Sequence, residues 1–229
     1  MTAPAYREVH AVSWPCGSNS NSKAVDVSSA QGNAPTTVAW WQTILDQYGV
    51  QLGFIKATEG TTYKNPDLQG AWSACNAVNG VYGTALYHFL DWQDSGTQQA
   101  DHFWNRVQSL TNPPFSPTGT ILAVDVEEPN GASSTGSASI TVVNEFMNEL
   151  TAKLGGVQDT LVIYTNQDTW VTLLGNPTNW RYIALWLSAM DGVSYCPPYE
   201  FGGWNNWSFM QYGTATLDGV STDLDQVVS

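Results

Sequence analysis

The pattern of apolar and polar positions repeats one layout along the first two thirds of the chain. A short apolar run comes first, a polar residue lies near its end, and a segment with apolar residues at helical spacing follows. The apolar runs fall at 24–28, 54–60, 81–89, 121–127 and 161–165. The segments with helical spacing fall around 40–45 and at 67–79, 97–110 and 138–154. Alternating strands and helices are typical of a parallel sheet.

The last third of the chain has apolar runs without such helical segments. We expect strands at 182–188, 207–212 and 222–227, joined mainly by loops. About eight strands in this arrangement favour a closed β/α barrel over an open sheet. An open sheet would carry a glycine-rich phosphate loop after its first strand, and the sequence has none there. The pattern therefore predicts one barrel over 24–229, preceded by an irregular arm over 1–23.

Two carboxylates lie at the end of the predicted fourth strand, at Asp125 and Glu127. Side chains alternate along a strand, so the two point to the same side, with Cα atoms roughly 6.6 Å apart. A like charge so close raises the proton affinity of one carboxyl, as a general acid requires. The alternative is a pair of solvated acids that begin the turn at 128–131.

The carboxyl ends of barrel strands meet at one face, where active sites lie. The polar and aromatic residues expected at this mouth are Asp26, Glu59, Tyr87, His88, Asp125, Glu127, Tyr164, Trp186, Gln211 and Asp223. Aromatic rings stack on sugars, amides bind hydroxyls, and carboxylates perform acid and base catalysis at a glycosidic bond. A mouth of this composition suits a carbohydrate substrate.

Composition narrows the possible partners. Seven Lys and Arg against 20 Asp and Glu give a net charge of -13, which argues against nucleic acid because no basic surface neutralises phosphates. Eleven Trp and ten Tyr are many for 229 residues, and part of this excess is expected in a sugar-binding groove. No apolar stretch is long enough to span a membrane. The spacing of the His and Cys residues matches no metal site, and we expect no metal or cofactor.

The cysteines and the first residues leave two questions open. Cys16, Cys75 and Cys196 allow at most one internal bridge, which can be chosen in three ways. The segment Met1–Pro4 has no basic and apolar leader character. We therefore expect either export with a leader that is absent from this sequence, another secretion route, or a phage-encoded protein released at lysis.

The order of several short motifs resembles glycoside hydrolase family 25. The motifs are AVDVSSAQG at 24–32, FIKATEG at 54–60, YHF at 87–89 and VDVE at 124–127, followed by IYT at 163–165, LWL at 185–187, MQY at 210–212 and TDLD at 222–225. This family comprises the Chalaropsis-type lysozymes, or N-acetylmuramidases, which also occur as phage endolysins. The resemblance covers the chain from about Val25 to Val227, and the order and spacing of the motifs make it specific.

The resemblance implies a flattened, irregular TIM-like β/α barrel whose later strands lack regular helices. It also implies hydrolysis of the β-1,4 bond between N-acetylmuramic acid and N-acetylglucosamine in bacterial peptidoglycan. We expect the protein to act outside the cell as a monomer. Matched by position, Glu127 is the general acid, Asp125 is its companion, and Asp26 and Asp223 are further acids of the site. The matched groove-lining positions are Tyr87, Tyr164, Trp186 and Gln211. At the last motif the sequence departs from the family pattern, with Thr222 for an apolar residue and Asp225 where Asn is common.

Several residues allow a second interpretation. We expect Glu59 either to line the groove or to pair with Lys56. For His88 we favour a structural role in the core over a role as a catalytic base. Trp204 and Trp207, in a glycine-rich loop, are the best further candidates for sugar platforms.

Two alternative functions also remain open at this point. One is a barrel that binds cell walls without catalysis, such as a phage tail component. The other is a different barrel glycosidase such as a chitinase, although the DxxDxDxE signature of that family is absent.

The stereochemical route and the effect of salt follow from the same residues. The 2-acetamido group of muramic acid can serve as nucleophile, and we favour this assisted, retaining route over direct attack by water. Because walls with teichoic acids are anionic, we expect moderate salt or mild acidity to raise activity by weakening repulsion.

Overall fold

A computed structural model describes residues 23–81, 83–128, 138–189 and 201–227 of the protein. The arm predicted at 1–23 therefore lies outside the described residues, except for Lys23, which begins the first strand. Cys16 and Cys196 also lie outside them, and Cys75 is a buried free thiol.

The described residues form nine strands and four α-helices. The strands are β1 Lys23–Val27, β2 Val50–Glu59, β3 Tyr63–Lys64, β4 Gly83–Phe89, β5 Ile121–Val126, β6 Leu161–Thr165, β7 Ala184–Ser188, β8 Phe209–Leu217 and β9 Val220–Val227. The helices are α1 Val38–Tyr48, α2 Leu68–Asn76, α3 Gly96–Gln108 and α4 Ile140–Lys153. Each predicted helix is present, with ends that differ by one to three residues from the expected ones.

The sheet closes into a barrel. Its order is β1-β9-β8-β7-β6-β5-β4-β2-β3, and an additional β1–β2 pairing joins the ends, so that β3 remains an outer strand on β2. After β6 the described residues contain a short π-helical turn at Thr169–Leu173 but no further α-helix. The predicted irregular barrel, with later strands that lack regular helices, is thus confirmed.

The parallel arrangement that the alternating strands and helices indicated does not extend to the last strand. From β1 through β8 the barrel neighbours pair in parallel, whereas β9 runs antiparallel to both β8 and β1. The cause is the tight turn at Asp218-Gly219, where both residues have positive φ. So short a connection can join antiparallel strands, but a parallel pair needs a crossover of a dozen residues or more.

Two apolar cores hold the barrel together. The inner core fills the barrel with side chains that include Phe54, Tyr87 and Trp186, and the outer core lies between the strands and the helices. The alternation of side chains along each strand sends successive residues to one core and then the other. The same alternation decides which polar residues face the mouth of the barrel.

The helices α3 and α4 pack closely because the first residue of α3 is a glycine. A methyl group at Gly96 would overlap the backbone of Val142 and Phe146 in α4. Gly96 therefore sets how near the two helices can approach on the outside of β4 and β5.

Candidate active site

Two carboxyls at the end of β5 are in direct contact. Asp125 is buried on the inner side of the barrel, opposite Phe89 of β4 and Tyr164 of β6. Glu127 follows just beyond the strand and is partly buried, and the two side chains share a hydrogen bond. A hydrogen bond between two carboxyl groups requires a proton on one of them.

Burial and mutual repulsion make this pair hold its proton strongly. Burial raises the pKa of Asp125 well above its ordinary value, and the charge of Glu127 raises it further. Burial also raises the pKa of Glu127, although the hydrogen bond from Asp125 lowers it in part. The pair therefore carries a proton at pH values where an exposed carboxyl has lost its own. Of the two, Glu127 is the less buried.

A third acid, Asp26 on β1, is held by a chain of hydrogen bonds that crosses the sheet. The amide nitrogen of Gln211 donates to Asp26 Oδ2 over 2.8 Å, and the phenol of Tyr164 donates to Gln211 Oε1 over 2.7 Å. All three side chains are buried. Because Gln211 must face both groups in one orientation, the chain determines the position of the Asp26 carboxyl.

The environment of Asp26 raises the pKa of its carboxyl into the neutral range. Burial and the charge of Asp223 are the largest causes that raise the pKa of Asp26 to about 7, against an ordinary value of 3.8. The hydrogen bond from Gln211 and the charge of Lys56 act in the opposite direction, and Glu127 adds to the increase. Asp223 is itself partly buried, and burial raises its pKa. The charges of Asp26, Asp125 and Glu127 thus act on one another across one mouth.

A lysine lies among these acids. Lys56 faces inward opposite Tyr87, and a bulge in β2 after Lys56 turns Thr58 outward, opposite His88. The Lys56 ammonium lies 2.7 Å from Glu59 Oε2 and 4.6 Å from the centre of the Phe89 ring. Its positive charge lowers the pKa of Asp26, Asp125 and Glu127. Glu59 thus pairs with Lys56 at the rim, as one of its two interpretations expected.

The floor of the mouth is aromatic. Trp186 stacks on Phe54 with ring centres 3.9 Å apart, and meets Tyr164 and Tyr87 edge to face at 4.6 and 6.1 Å. The indole nitrogen of Trp186 donates to Asp225 Oδ1 over 2.7 Å. Trp186, Tyr164 and Tyr87 are each less than 8% exposed, so they form the base beneath the acids.

Behind β4, His88 belongs to the outer core. Its Nε2 lies 3.0 Å from Gln99 Oε1, and its Nδ1 lies 2.8 Å from the hydroxyl of Thr58. Gln99 also bonds the backbone of Asp91 and Asp94, and thereby fixes the loop after β4. Burial lowers the pKa of His88 to about 3, so it is neutral and structural, in agreement with its interpretation as a core histidine.

The loop that Gln99 fixes carries a residue that the sequence analysis missed. Trp92 is buried, and its indole nitrogen donates to the backbone oxygen of Glu127 over 3.0 Å. Lys56 was likewise missed as a neighbour of the acids. Its inward direction could have been inferred from Phe54, two residues earlier on the same strand, but no local pattern marks Trp92.

The interpretation of Trp204 as a sugar platform is wrong. Trp204 is buried in the outer core against Trp170 and Phe201, and its nitrogen donates to the backbone oxygen of Ile183. Trp207 packs on the same outer core, beside Leu185 and Leu187. Neither ring lies in the inner core that forms the floor of the mouth.

Paired carboxyls above an aromatic floor, at the mouth of a β/α barrel, are typical of the active site of a glycoside hydrolase. Comparison with known proteins agrees with this geometry. The sequence profile described as "Glycosyl hydrolases family 25" matches residues 25–219, and the chain belongs to this family of glycoside hydrolases.

Individual relatives support the same assignment. Lysozyme M1 of Streptomyces globisporus is 32% identical over 213 residues, which are 89% of this chain and 66% of the relative's own length. An N,O-diacetylmuramidase of Arthroderma benhamiae is 29% identical over 191 residues, covering 81% of this chain and 74% of the relative. Among solved structures, the bacterial lysozyme of Streptomyces coelicolor superposes with a TM-score of 0.73 at 26% identity, over 92% of this chain and 94% of the other.

Proposed function

We propose that the protein hydrolyses the β-1,4 bond between N-acetylmuramic acid and N-acetylglucosamine in peptidoglycan. The observation that carries this proposal is the hydrogen-bonded pair of Asp125 and Glu127, buried in the same mouth as Asp26. Three interacting acids destabilise a fold, so their presence favours a catalytic use over simple wall binding. The relatives named as lysozyme and diacetylmuramidase support the choice of bond.

In this reaction Glu127 is the general acid. It is less buried than Asp125, and its raised pKa keeps a proton available for the leaving oxygen. As the bond from the anomeric carbon to that oxygen breaks, the proton of Glu127 moves to the oxygen. A water molecule then supplies the hydroxyl of the new reducing end, and its remaining proton returns to the carboxylate of Glu127, which restores the proton of the pair with Asp125.

Asp26 serves the other side of the sugar. Near neutral pH about half of it is ionised, and Gln211 holds the carboxylate in one orientation. In the assisted route that we favour, this carboxylate accepts the amide N–H of the 2-acetamido group, whose oxygen attacks the anomeric carbon. Asp223 adds negative charge beside Asp26, and Glu59 with Lys56 borders the groove. Tyr87, Tyr164, Trp186 and Gln211 form the base on which the sugar ring rests.

The decisive experiment is digestion of purified peptidoglycan by the wild type and by Glu127→Gln, followed by mass spectrometry of the products. Muramidase activity places N-acetylmuramic acid at the new reducing ends, and Glu127→Gln should lose at least about a thousandfold in rate because the acid is gone. Glu128→Gln is the matched control, because Glu128 is exposed and adjacent. Equal rates for the wild type and Glu127→Gln would show that Glu127 is not the acid.

The competing functions give different results in the same experiment. A barrel that merely binds walls would retain peptidoglycan in a pull-down but release no fragments. A chitinase-like enzyme would release fragments from chitin and none from peptidoglycan. The route is read from the anomer of a fresh product by NMR, and an inverted anomer would exclude the assisted mechanism.

The glycan strands of the bacterial wall are the proposed partner, and the protein is proposed to act on them as a monomer outside the cytoplasm. Within the described residues, no helix is long and apolar enough to cross a membrane. We propose that the protein reaches the wall either by secretion or by phage-driven lysis of the cell.

A further inference from the structure

Asp225 of β9 is a carboxyl that the proposed reaction does not use. It lies opposite Ala24 of β1 and Gln211 of β8, and its side chain is completely buried. One oxygen, Oδ1, accepts the indole N–H of Trp186 over 2.7 Å. The other oxygen, Oδ2, has no hydrogen-bond partner among the described residues and is shielded from solvent.

The groups around Asp225 disfavour a negative charge. The titratable groups that act on it are Asp26 from β1, Asp223 from β9 itself and the phenol of Tyr212 from β8, whereas β7 contributes the uncharged Trp186. A carboxylate here would have one donor, two neighbouring acids and no exposure to solvent, which is a costly arrangement. Burial accordingly raises the pKa of Asp225 well above its ordinary value, and Asp26 and Asp223 raise it further.

Trp186 links Asp225 to the acids above. Its ring is fixed on one side by stacking on Phe54 and on its edge by Tyr164, and its nitrogen is fixed by Asp225. Tyr164 in turn bonds Gln211, and Gln211 bonds Asp26. A displacement of Trp186 would therefore reach the carboxyl of Asp26 through contacts that are all buried.

We propose that Asp225 is a positioning residue that works as a neutral carboxylic acid, anchoring the indole of Trp186 beneath Gln211 and Asp26. The catalytic consequence of this inference rests on the proposed function. The neutral state of Asp225 in the folded protein is independent of it. An amide offers the same acceptor without the charge, so Asn should replace Asp225, and an apolar side chain should not.

The first test measures stability and needs no catalytic activity. Denaturant unfolding of the wild type and Asp225→Asn is compared from pH 4 to pH 8. If Asp225 is neutral in the folded protein and ionised when unfolded, folding binds a proton, and the wild type loses stability as the pH rises above about 4. The unfolding midpoint of Asp225→Asn should then exceed that of the wild type by a margin that grows with pH.

Asp218→Asn is the matched control for this test. Asp218 lies in the exposed turn of the same hairpin at positive φ, which Asn tolerates, and the substitution changes the net charge equally. It shows how the loss of one exposed carboxylate changes the midpoint. A difference for Asp225→Asn that grows with pH no more than that of Asp218→Asn would overturn the proposal, because it would mean that Asp225 is ionised in the folded protein.

The second test separates kcat from KM on soluble peptidoglycan fragments. Asp225→Asn should keep kcat within about threefold of the wild type, whereas Asp225→Leu, which leaves the indole N–H unpaired, should lower kcat by about tenfold or more with KM little changed. An Asn variant as impaired as the Leu variant would overturn the proposal, since the acid itself would then be required. A wild type without activity would refute the proposed function instead, and the stability comparison would still decide on Asp225.

Discussion

The hydrogen bond from Gln211 to Asp26 provides a quantitative prediction. In Gln211→Leu the side chain keeps a similar size, but Asp26 loses its buried donor and Tyr164 loses its acceptor. Hydrogen bonding to a charged carboxylate lowers its pKa, and burial and Asp223 already raise the pKa of Asp26. Removal of the donor must therefore raise the pKa of Asp26 further above about 7.

The size of this change follows from the strength of the bond. A hydrogen bond to a charged group contributes about 1.5 to 3 kcal/mol, and about 1.4 kcal/mol corresponds to one pH unit. The pKa of Asp26 should therefore rise by about one to two pH units. The ionised fraction of Asp26 at pH 7 would fall from about one half to about one tenth or less, and activity at that pH should fall in proportion.

The assay is a carbon NMR titration of protein labelled at the aspartate carboxyls, with Asp26→Asn used to assign the signal of Asp26. Tyr164→Phe serves as the control, because it removes the phenol that bonds Gln211 but leaves the donor on Asp26. The control should show a smaller change than Gln211→Leu. A titration of Asp26 in Gln211→Leu that superimposes on the wild type would refute the reasoning.

Three other substitutions test separate parts of the structure. Asp26→Asn should abolish activity yet stabilise the protein. Because the pKa of Asp26 is about 7 in the folded protein against 3.8 ordinarily, the gain in the free energy of unfolding should be absent below pH 4, grow up to pH 7 and reach at most about 4 kcal/mol. A gain in denaturant unfolding that does not depend on pH would contradict this. Trp92→Phe removes the indole donor to the backbone oxygen of Glu127 and replaces a buried indole by a smaller ring. The melting temperature should therefore fall, and kcat should fall by about threefold to thirtyfold, so that an unchanged kcat would count against this role. Gly96→Ala should lower the stability by about 1 to 3 kcal/mol in urea unfolding through overpacking against α4, and a neutral result would show that the helices can separate freely.

Much of the barrel could be predicted from short segments. The run from Ile121 to Glu127 indicates a buried strand with two acids on one side, and the structure places Asp125 in the barrel interior next to Glu127. Helices were predictable from their spacing because a period near 3.6 is a local property. The antiparallel direction of β9 was missed because the tight turn at Asp218-Gly219 was not recognised as a hairpin.

The sequence by itself determined which side chains share a face along the regular stretches of each strand, because alternation there depends on nothing beyond the neighbouring residues. At the bulge in β2 the alternation breaks, and Thr58 faces outward against His88. It also contained the ordered motifs that indicated the family. The tertiary structure alone decided the partners across strands: Gln211 for Asp26, 185 residues away, and Trp186 for Asp225, 39 residues away. Those pairings depend on strand register and on closure of the barrel, which no short segment encodes. For the same reason, the acidity of each carboxyl follows from the fold, through the burial and the neighbouring charges that closure produces.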